Sequence, residues 1–526
     1  VISRRVLTAL PLAAGAGLLY CLGFIGFGFY PLVFVAWVPM LYAMRTMPPA
    51  RAFALGVLFG TVANLGGYYW MVHTLSAFGQ IGRPLAILAL LLLAVYQGTM
   101  IALVAYGVRR AESDLGVQPV WTLPAMYMVV ELLYPQLFPA NIGAALYRAS
   151  VLTQIVDVTG MLGLTALVAL VNGAAWELLQ PWTTGRPASR RRVMTAAAVV
   201  LAVVLYGLAR LPMIDAQMAA APKLKVALIQ TNIGGATLDR RNQVVARHRA
   251  MSEQALADEP DVALLVWPES VSAALPRDVP NIAGRVTEGL AIPVIFGGVT
   301  YERASGRRHY YNTALLTSPT ADVVARFDKM RLVPFSEALP PIASWAGLDA
   351  LVASSFSRAS VFDRGQTFAH FRVGDTVLLP TICYEAIFPD FVRDFWRRAG
   401  PADVLINITN DSWFGDTHEP RIHLALASFR AIETRRAMIR STNTGISALI
   451  DPAGRIYRHT EQWTPAVLTG AVPVIRSDAS SLYQALGDVL GWLGAGLVAV
   501  GWVASARVRA RATDGWRRPA WCRWRP

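Results

Sequence analysis

Lysine is nearly missing from this chain. Of 48 basic residues 45 are arginine, and the three lysines stand at positions 223, 225 and 329. A lysine kept at 329, between Asp328 and an apolar run, points to a task for a compact ammonium that a planar guanidinium fork does not perform; the plainer alternative is an ordinary surface lysine. Cysteine is as scarce, with Cys21 in an apolar run, Cys522 in a basic tail and Cys383 alone between them. Without a partner in its own region Cys383 belongs to no disulfide framework, so it is either a small apolar filler of a strand or a thiol in use. Charge is sparse too. Only 16% of residues are charged against 54% hydrophobic, with a mean hydropathy of +0.41, which excludes a wholly water-soluble chain.

The formal charge of +14 would suit nucleic acid if it were gathered on one soluble face. It is not. Residues 1–222 carry 13 Arg against 6 acids, residues 223–476 carry 28 basic residues against 25, and the remainder carries 7 against 3. The excess flanks apolar segments, so it reads as membrane topology, and no nucleic-acid partner is expected. Apolar runs at Val6–Phe27, Tyr30–Met44, Phe53–Leu75, Leu85–Tyr106, Trp121–Phe138, Met161–Leu179, Val193–Leu211 and Leu482–Ala504 are candidate spans, about eight in all. The second is short, and the fifth is interrupted by Pro124, Glu131 and Pro135. With the N-terminus inside, Arg residues crowd the inner segments and only Arg83, Arg148 and Arg210 fall outside. That places 223–476 outside the cytoplasm and both termini within it. The first run is not expected to be a cleaved signal, because a second span follows it at Pro31. The organisation expected is a bundle of about seven helices over 1–222, an exported domain over 223–476, and a final helix with a basic cytoplasmic tail over 477–526.

Within 223–476, short β-branched runs at 225–230, 262–266, 293–296, 312–316, 377–381, 404–408 and 446–450 predict strands. Helical patterns cover 240–257, 281–290, 389–398 and 420–438. The alternation predicts an α/β layered domain whose strands are buried on both faces, with the site just past the strand ends. Glu269 in VWPES follows one such strand behind the stiff Trp267-Pro268 pair, and Cys383 in LLPTICYEA follows another. A carboxylate, the ammonium of Lys329 in FDKMRLVPFSE and a thiol are the parts of an acyl-transfer site. Glu269 has an alternative as the N-cap of a short helix starting near Val271. The stretch 340–362 has the composition of an arm resting on the membrane over the site, and equally that of a packed surface helix.

These residues together resemble the nitrilase superfamily. On a bundle of spans they resemble more closely the apolipoprotein N-acyltransferase family, with further matches at Tyr311-Asn312, Asn407–Gly415 (NITNDSWFG), His423 and Arg440–Gly445. The resemblance implies an α-β-β-α sandwich in which Glu269 accepts a proton, Cys383 is the nucleophile and Lys329 steadies the tetrahedral oxyanion. It matches Glu337, Tyr384 and Glu385 to supporting positions and Trp413 and Phe414 to a loop at the lipid opening. Ser336 and Asp239 depart from the family pattern. The implied reaction is transfer of an acyl chain from a membrane phospholipid, through a Cys383 thioester, to the N-terminal α-amine of a diacylglyceryl-cysteine apolipoprotein. The implied setting is the bacterial inner membrane with the domain on the periplasmic side; the bilayer is part of the system and no cofactor is expected.

Two rivals remain. A membrane-tethered nitrilase-type amidase, cutting a small amide or nitrile, shares the same three residues. A transporter or scaffold with an inactive enzyme-like domain is opposed by the presence of all three residue types and by spans with few charges. The run His418-Glu419-Pro420-Arg421-Ile422-His423 looks like a zinc-protease helix, but the spacing and the proline keep its two rings off one face, and no metal is assigned. Gly297-Gly298 is expected to form a tight turn after a strand. Glu131 reads as a functional residue within a span or as one at the membrane interface.

Overall fold

The computed structural model describes residues 4–79, 81–139, 141–233, 238–279, 281, 284–304, 306–334, 337–338, 362–476 and 480–517. Ser336, Cys522, the side chain of Asp239 and nearly all of the 340–362 stretch lie outside the described residues.

Among the described residues five helices are long and apolar enough to cross a membrane: Pro49–Gly67, Arg83–Leu115, Met161–Thr184, Arg190–Ala220 and Val489–Arg509. The other expected spans are shorter, at Thr8–Gly23, Tyr30–Met44 and Pro119–Leu133. The run Phe53–Leu75 is not continuous, since its helix stops at Gly67 and a separate turn of helix covers Met71–Ala77. Adjacent Gly66 and Gly67 weaken the helix where it ends. Arg83–Leu115 opens with Pro84 in its first turn and closes on Gly116, whose left-handed backbone lets its N–H cap the Ala111 and Glu112 carbonyls. This helix and Pro49–Gly67 approach backbone to backbone. A Cβ on Gly60 would lie 2.5 Å from the Gly98 Cα, and one on Gly56 2.5 Å from the Ala102 Cα, so small residues set this contact. Leu201, Leu205, Leu208 and Met213 stand exposed along Arg190–Ala220, as Leu497 and Val500 do along the last helix, which is the surface expected to meet lipid.

Strand β1 (Lys223–Gln230) begins just after Ala220 and leads into two sheets. The first contains β1, β2 (Leu264–Val266), β3 (Ser272–Pro276), β4 (Val294–Ala304), β5 (Arg307–Thr317), β6 (Val323–Asp328) and β13 (Ala466–Pro473), in the order β13-β1-β2-β4-β5-β6 with β3 paired to β4. The second contains β7 (Phe371–Val373), β8 (Thr376–Ile382), β9 (Val404–Thr409), β10 (Ala437–Thr442), β11 (Ala448–Ile450) and β12 (Ile456–His459), in the order β12-β11-β10-β9-β8-β7. The centres are parallel, β1-β2-β4 in one sheet and β8-β9-β10 in the other, and the flanking pairs β4-β5-β6, β1-β13, β7-β8 and β10-β11-β12 are antiparallel.

The two-residue period of a strand sorts the side chains. Val226, Leu228, Leu264 and Val266 join Leu379, Ile406, Ile408 and Ile439 of the other sheet in one core, whereas Ala227, Ile229, Leu265 and Trp267 face outward to the helix Leu238–Asp258. Phe391, Phe395, Leu424 and Phe429, from the helices Pro389–Ala399 and Glu419–Thr434, are buried with the second sheet. The layers run helix, sheet, sheet, helix, the α-β-β-α sandwich expected.

Several local expectations fail for identifiable reasons. Among the described residues of 281–290 the expected helix is replaced by a single 3-10 turn, Gly284–Val286, with Gly289 at φ +91 beyond it. Val271 starts no helix, because the residues after it pair with β4 as β3. Gly297 and Gly298 lie inside β4 and form no turn. The helix expected to run to Met438 ends at Thr434, where Arg435 turns left-handed at φ +54 and β10 follows. Arg435 is held there from the bundle. Its guanidinium donates to Asp157 (Nε 3.0 Å, with Nη2 at 2.7 Å), to Gln154 Oε1 (2.6 Å) and to the Pro452 carbonyl (3.1 Å). Asp157 also accepts from Tyr206 (2.7 Å) and Arg210 (3.1 Å) of the helix that leads into β1.

Candidate active site

Each member of the expected trio stands at the end of a strand. Glu269 comes three residues after β2, Lys329 directly after β6 and Cys383 directly after β8. Trp267 fixes the first of these ends, fully buried with its indole N–H on Ser252 Oγ at 2.9 Å. Gly297 lets β4 pass close beneath it, since a Cβ there would lie 2.5 Å from the Glu269 Cα. Lys329 is tied to β5 through its N–H on the Asn312 carbonyl at 2.8 Å. Cys383 sits in the left-handed region at φ +50, a conformation that costs energy for a residue with a side chain and marks a turn held by its surroundings.

The polar groups close on one another. Glu269 Oε1 accepts from Asn312 Nδ2 at 2.6 Å and from Lys329 Nζ at 3.3 Å, and its Oε2 accepts from the Asn410 N–H at 2.9 Å. Glu337 Oε1 takes the same two donors, Lys329 Nζ at 2.9 Å and Asn312 Nδ2 at 3.0 Å, while its Oε2 takes the Val333 N–H. Lys329 is thus no surface lysine; it is 1% exposed and shared between two carboxylates. Glu385 lies behind the sulfur and fastens the Cys383 turn to the Lys329 loop, accepting from the N–H groups of Ile382 (2.8 Å), Met330 (2.6 Å) and Arg331 (3.1 Å). Burial pushes its carboxyl up to about 7.

Burial also raises the Glu269 carboxyl above the usual carboxylate range, with Lys329 pulling it down and Glu337 pushing it up. For Lys329 burial opposes the charge, but Glu269 and Glu337 outweigh it and hold the ammonium well above its ordinary value. Burial and then the Glu269 charge push the Cys383 thiol up, against the pull of Lys329. The resting sulfur is therefore protonated, and as a nucleophile it would need a base.

Glu269, Lys329, Glu337, Cys383 and Tyr384 all line one cavity of about 940 Å³. Its far walls are apolar side chains of the bundle, among them Phe24, Met71, Leu75, Leu93, Met100 and Leu137. Tyr384 bridges the two parts, its hydroxyl donating to the Leu137 carbonyl and its ring meeting Phe138 edge-on with centroids 5.8 Å apart. Trp413 and Phe414 also line the cavity, packed on Phe78 (4.8 Å) and Trp70 (5.1 Å) of the bundle.

Behind the turn lies a charged group whose members fall in the matched stretches Asn407–Gly415, His423 and Arg440–Gly445, although the sequence does not announce that they pair. Asp411 Oδ1 is 3.0 Å from His423 Nδ1, and its Oδ2 accepts from Arg440 at 3.1 Å, all three buried. Burial and the guanidinium lower the proton affinity of His423, and Arg440 keeps Asp411 ionised against its own burial. Burial and Asp411 push the Glu419 carboxyl well up. Asp411, Glu419 and His423 bring ligand-type atoms within 4.8 Å of one another, but Arg440 already supplies the positive charge on Asp411. His418 stands apart, its ring on Phe27 and Tyr69. Glu131 is spent on structure, accepting from Asn141, the Ile142 N–H and Thr165 at 2.6–2.9 Å.

A carbon-nitrogen hydrolase fold joined through its candidate site to a membrane bundle defines the class. The pattern of the carbon-nitrogen hydrolase family matches residues 225–479, and that of the apolipoprotein N-acyltransferase N-terminal domain matches 16–174. The chain is 34% identical over 494 residues to the apolipoprotein N-acyltransferase of Geobacter metallireducens, covering 91% of this chain and 92% of that one. It is 33% identical to the one from Rhizobium meliloti, over 84% and 85% of the two chains. The chain belongs to the apolipoprotein N-acyltransferase family. Among solved structures, Saccharomyces cerevisiae Nit3, a member of branch 10 of the nitrilase superfamily, aligns with half of this chain and 94% of its own at 19% identity and a TM-score of 0.37.

Proposed function

We propose that this chain transfers an acyl chain from a membrane phospholipid to the N-terminal α-amine of a diacylglyceryl-cysteine apolipoprotein, with residues 1–222 and 477–526 as its membrane part and 223–476 as its catalytic domain outside the cytoplasm. The observation that carries the substrate class is the single cavity in which Cys383 and Lys329 face apolar side chains of the bundle. A small amide or nitrile would leave such a wall unused, and the amidase alternative is the less supported for that reason. Confinement of both substrates to one membrane accounts for the bundle, since a search in two dimensions raises their effective concentration at the site.

In the first half-reaction Glu269 takes the Cys383 proton as the sulfur attacks the ester carbonyl of the lipid. Lys329 and the Tyr384 N–H hold the negative oxygen that forms. The tetrahedral species collapses to a thioester, and the proton on Glu269 leaves with the lysophospholipid alcohol. In the second, the α-amine attacks the thioester, Glu269 accepts the amine proton, an amide forms and the thiol is restored. Glu337 and Asn312 keep Lys329 and Glu269 at fixed distance throughout.

The test is intact-mass and peptide analysis of the purified protein after incubation with phospholipid. A single acyl adduct on the Cys383 peptide, discharged by a diacylglyceryl-cysteine peptide and missing in a folded Cys383→Ala protein, is expected. Appreciable transfer by Cys383→Ala would remove the nucleophile assignment.

A further inference from the structure

The carbonyl oxygen of Cys383 lies between two side chains that the chemistry above does not use. Asn407 Nδ2 lies 3.3 Å from it and His423 Nε2 also 3.3 Å. The Asn407 amide cannot flip, because its Oδ1 accepts from Arg440 Nη1 while its Nδ2 also reaches Thr381 Oγ1 at 3.1 Å. The other nitrogen of the same guanidinium fork binds Asp411, the partner of His423. One fully buried arginine therefore orients both groups: the Asn407 amide donates to the Cys383 carbonyl, whereas the imidazole donates there only while both its nitrogens carry protons.

A peptide group is planar, so fixing its oxygen fixes the direction of the N–H at its other end. The oxygen of Cys383 and the N–H of Tyr384 belong to one such plane. We propose that Asn407, locked by Arg440, is a positioning residue for acyl transfer: it holds the Cys383 carbonyl so that the Cys383–Tyr384 peptide keeps its plane and the Tyr384 N–H stays aimed at the reacting oxygen. The left-handed φ of Cys383 gives the grip a purpose, since a strained residue persists only where its surroundings over-determine it. Asn407 touches no reacting atom and acts wholly through Cys383. The proposal rests on the reading of Cys383 as the nucleophile.

The experiment times acyl loading of Cys383 by intact mass in vesicles, alongside thermal unfolding, for wild type, Asn407→Asp, His423→Gln and His423→Asn. Asn407→Asp keeps an acceptor for Arg440 but turns a second oxygen toward the Cys383 carbonyl. It is expected to unfold within a few degrees of wild type and to load on the order of 10²-fold more slowly, with the donor concentration for half-saturation unchanged. The histidine pair adds no charge. The Gln amide reaches the place of Nε2 at the Cys383 carbonyl and the Asn amide only that of Nδ1 at Asp411, so Gln is expected to load at least about tenfold faster than Asn. Wild-type loading in Asn407→Asp, or a slowing matched by lost thermal stability, overturns the positioning role. If that variant does not fold, equal rates in the two histidine variants, or Asn ahead of Gln, overturn it instead. A wild-type protein that loads lipid at a residue other than Cys383 sinks the nucleophile and the positioning role together, whereas loading at Cys383 that is indifferent to these changes sinks only the second.

Discussion

Replacing Lys329 by arginine keeps the charge and changes only its shape, which makes it a direct probe of the site. Nζ stands 2.9 Å from Glu337 and 3.3 Å from Glu269, with the side chain 1% exposed and the Asn312 amide bonding both carboxylates beside it. A guanidinium satisfies two carboxylates as well as an ammonium does, so Lys329→Arg is expected to fold and to unfold near the wild-type temperature. Its planar head is wider, however, and in this closed space it reaches into the position of the acyl carbonyl. Loss of a preformed oxyanion donor costs on the order of 10²–10³ in rate, or roughly 2.7–4 kcal/mol. Lys329→Met removes the charge between two buried carboxylates, which costs roughly 3–5 kcal/mol of stability if both stay ionised. Protonation of Glu269 relieves part of that cost and removes the proposed base as well. The assay is transfer from phospholipid to a diacylglyceryl-cysteine peptide at matched protein levels, with unfolding followed in parallel. Arginine that restores near-normal transfer would show that charge suffices and refute the geometric role of the ammonium.

Three further outcomes are expected. Glu269 as the proposed base acts only when ionised, and burial raises its carboxyl above the usual 4.5, so acyl loading is expected to fall as pH drops through a value above 4.5; an acid limb at or below that value in the pH–rate profile counts against Glu269 as the base. Gly297→Ala brings a Cβ to within 2.5 Å of the Glu269 Cα, and displacement of that strand end is expected to slow loading on the order of 10²-fold in a folded protein; an unaffected rate would mean that β4 yields instead. Single cysteines at exposed Glu288 or Arg397 in a Cys383→Ala background should react with an impermeant thiol reagent in intact spheroplasts, and labelling only after lysis would put the catalytic domain on the inner side.

What could be seen in the chain beforehand was whatever residue type and strand pattern carry by themselves. Glu269, Lys329 and Cys383 stand out because a scarce lysine, a lone thiol and a stiffened glutamate fall at strand ends, and strand ends of an α/β sheet converge. Asp411 and Arg440 enter only through stretches matched by the resemblance and not by residue type, because a charged residue in a sequence reads as surface and only its tertiary partner permits burial. The helix pattern of 420–438 misleads for a related reason. Local periodicity continues through Arg435, while Asp157 and Gln154, more than 270 residues earlier, turn that residue left-handed and release the chain into β10. Glu131 shows the reverse, a carboxylate that looks functional by its setting yet is fully occupied by neighbouring donors.

The bond between Arg435 and Asp157 also sets an altitude. With this guanidinium fastened to the bundle and Arg210 sharing the same carboxylate, the two-sheet domain is tied to the helices on which it stands. The depth of the Cys383 sulfur relative to the lipid esters is then dictated by how the spans settle in the bilayer, and a helix settles according to hydrocarbon thickness. With Cys383 as the proposed nucleophile, membranes with shorter or longer chains would raise or lower the sulfur against the lipid ester, making bilayer thickness a control on turnover that needs no effector molecule.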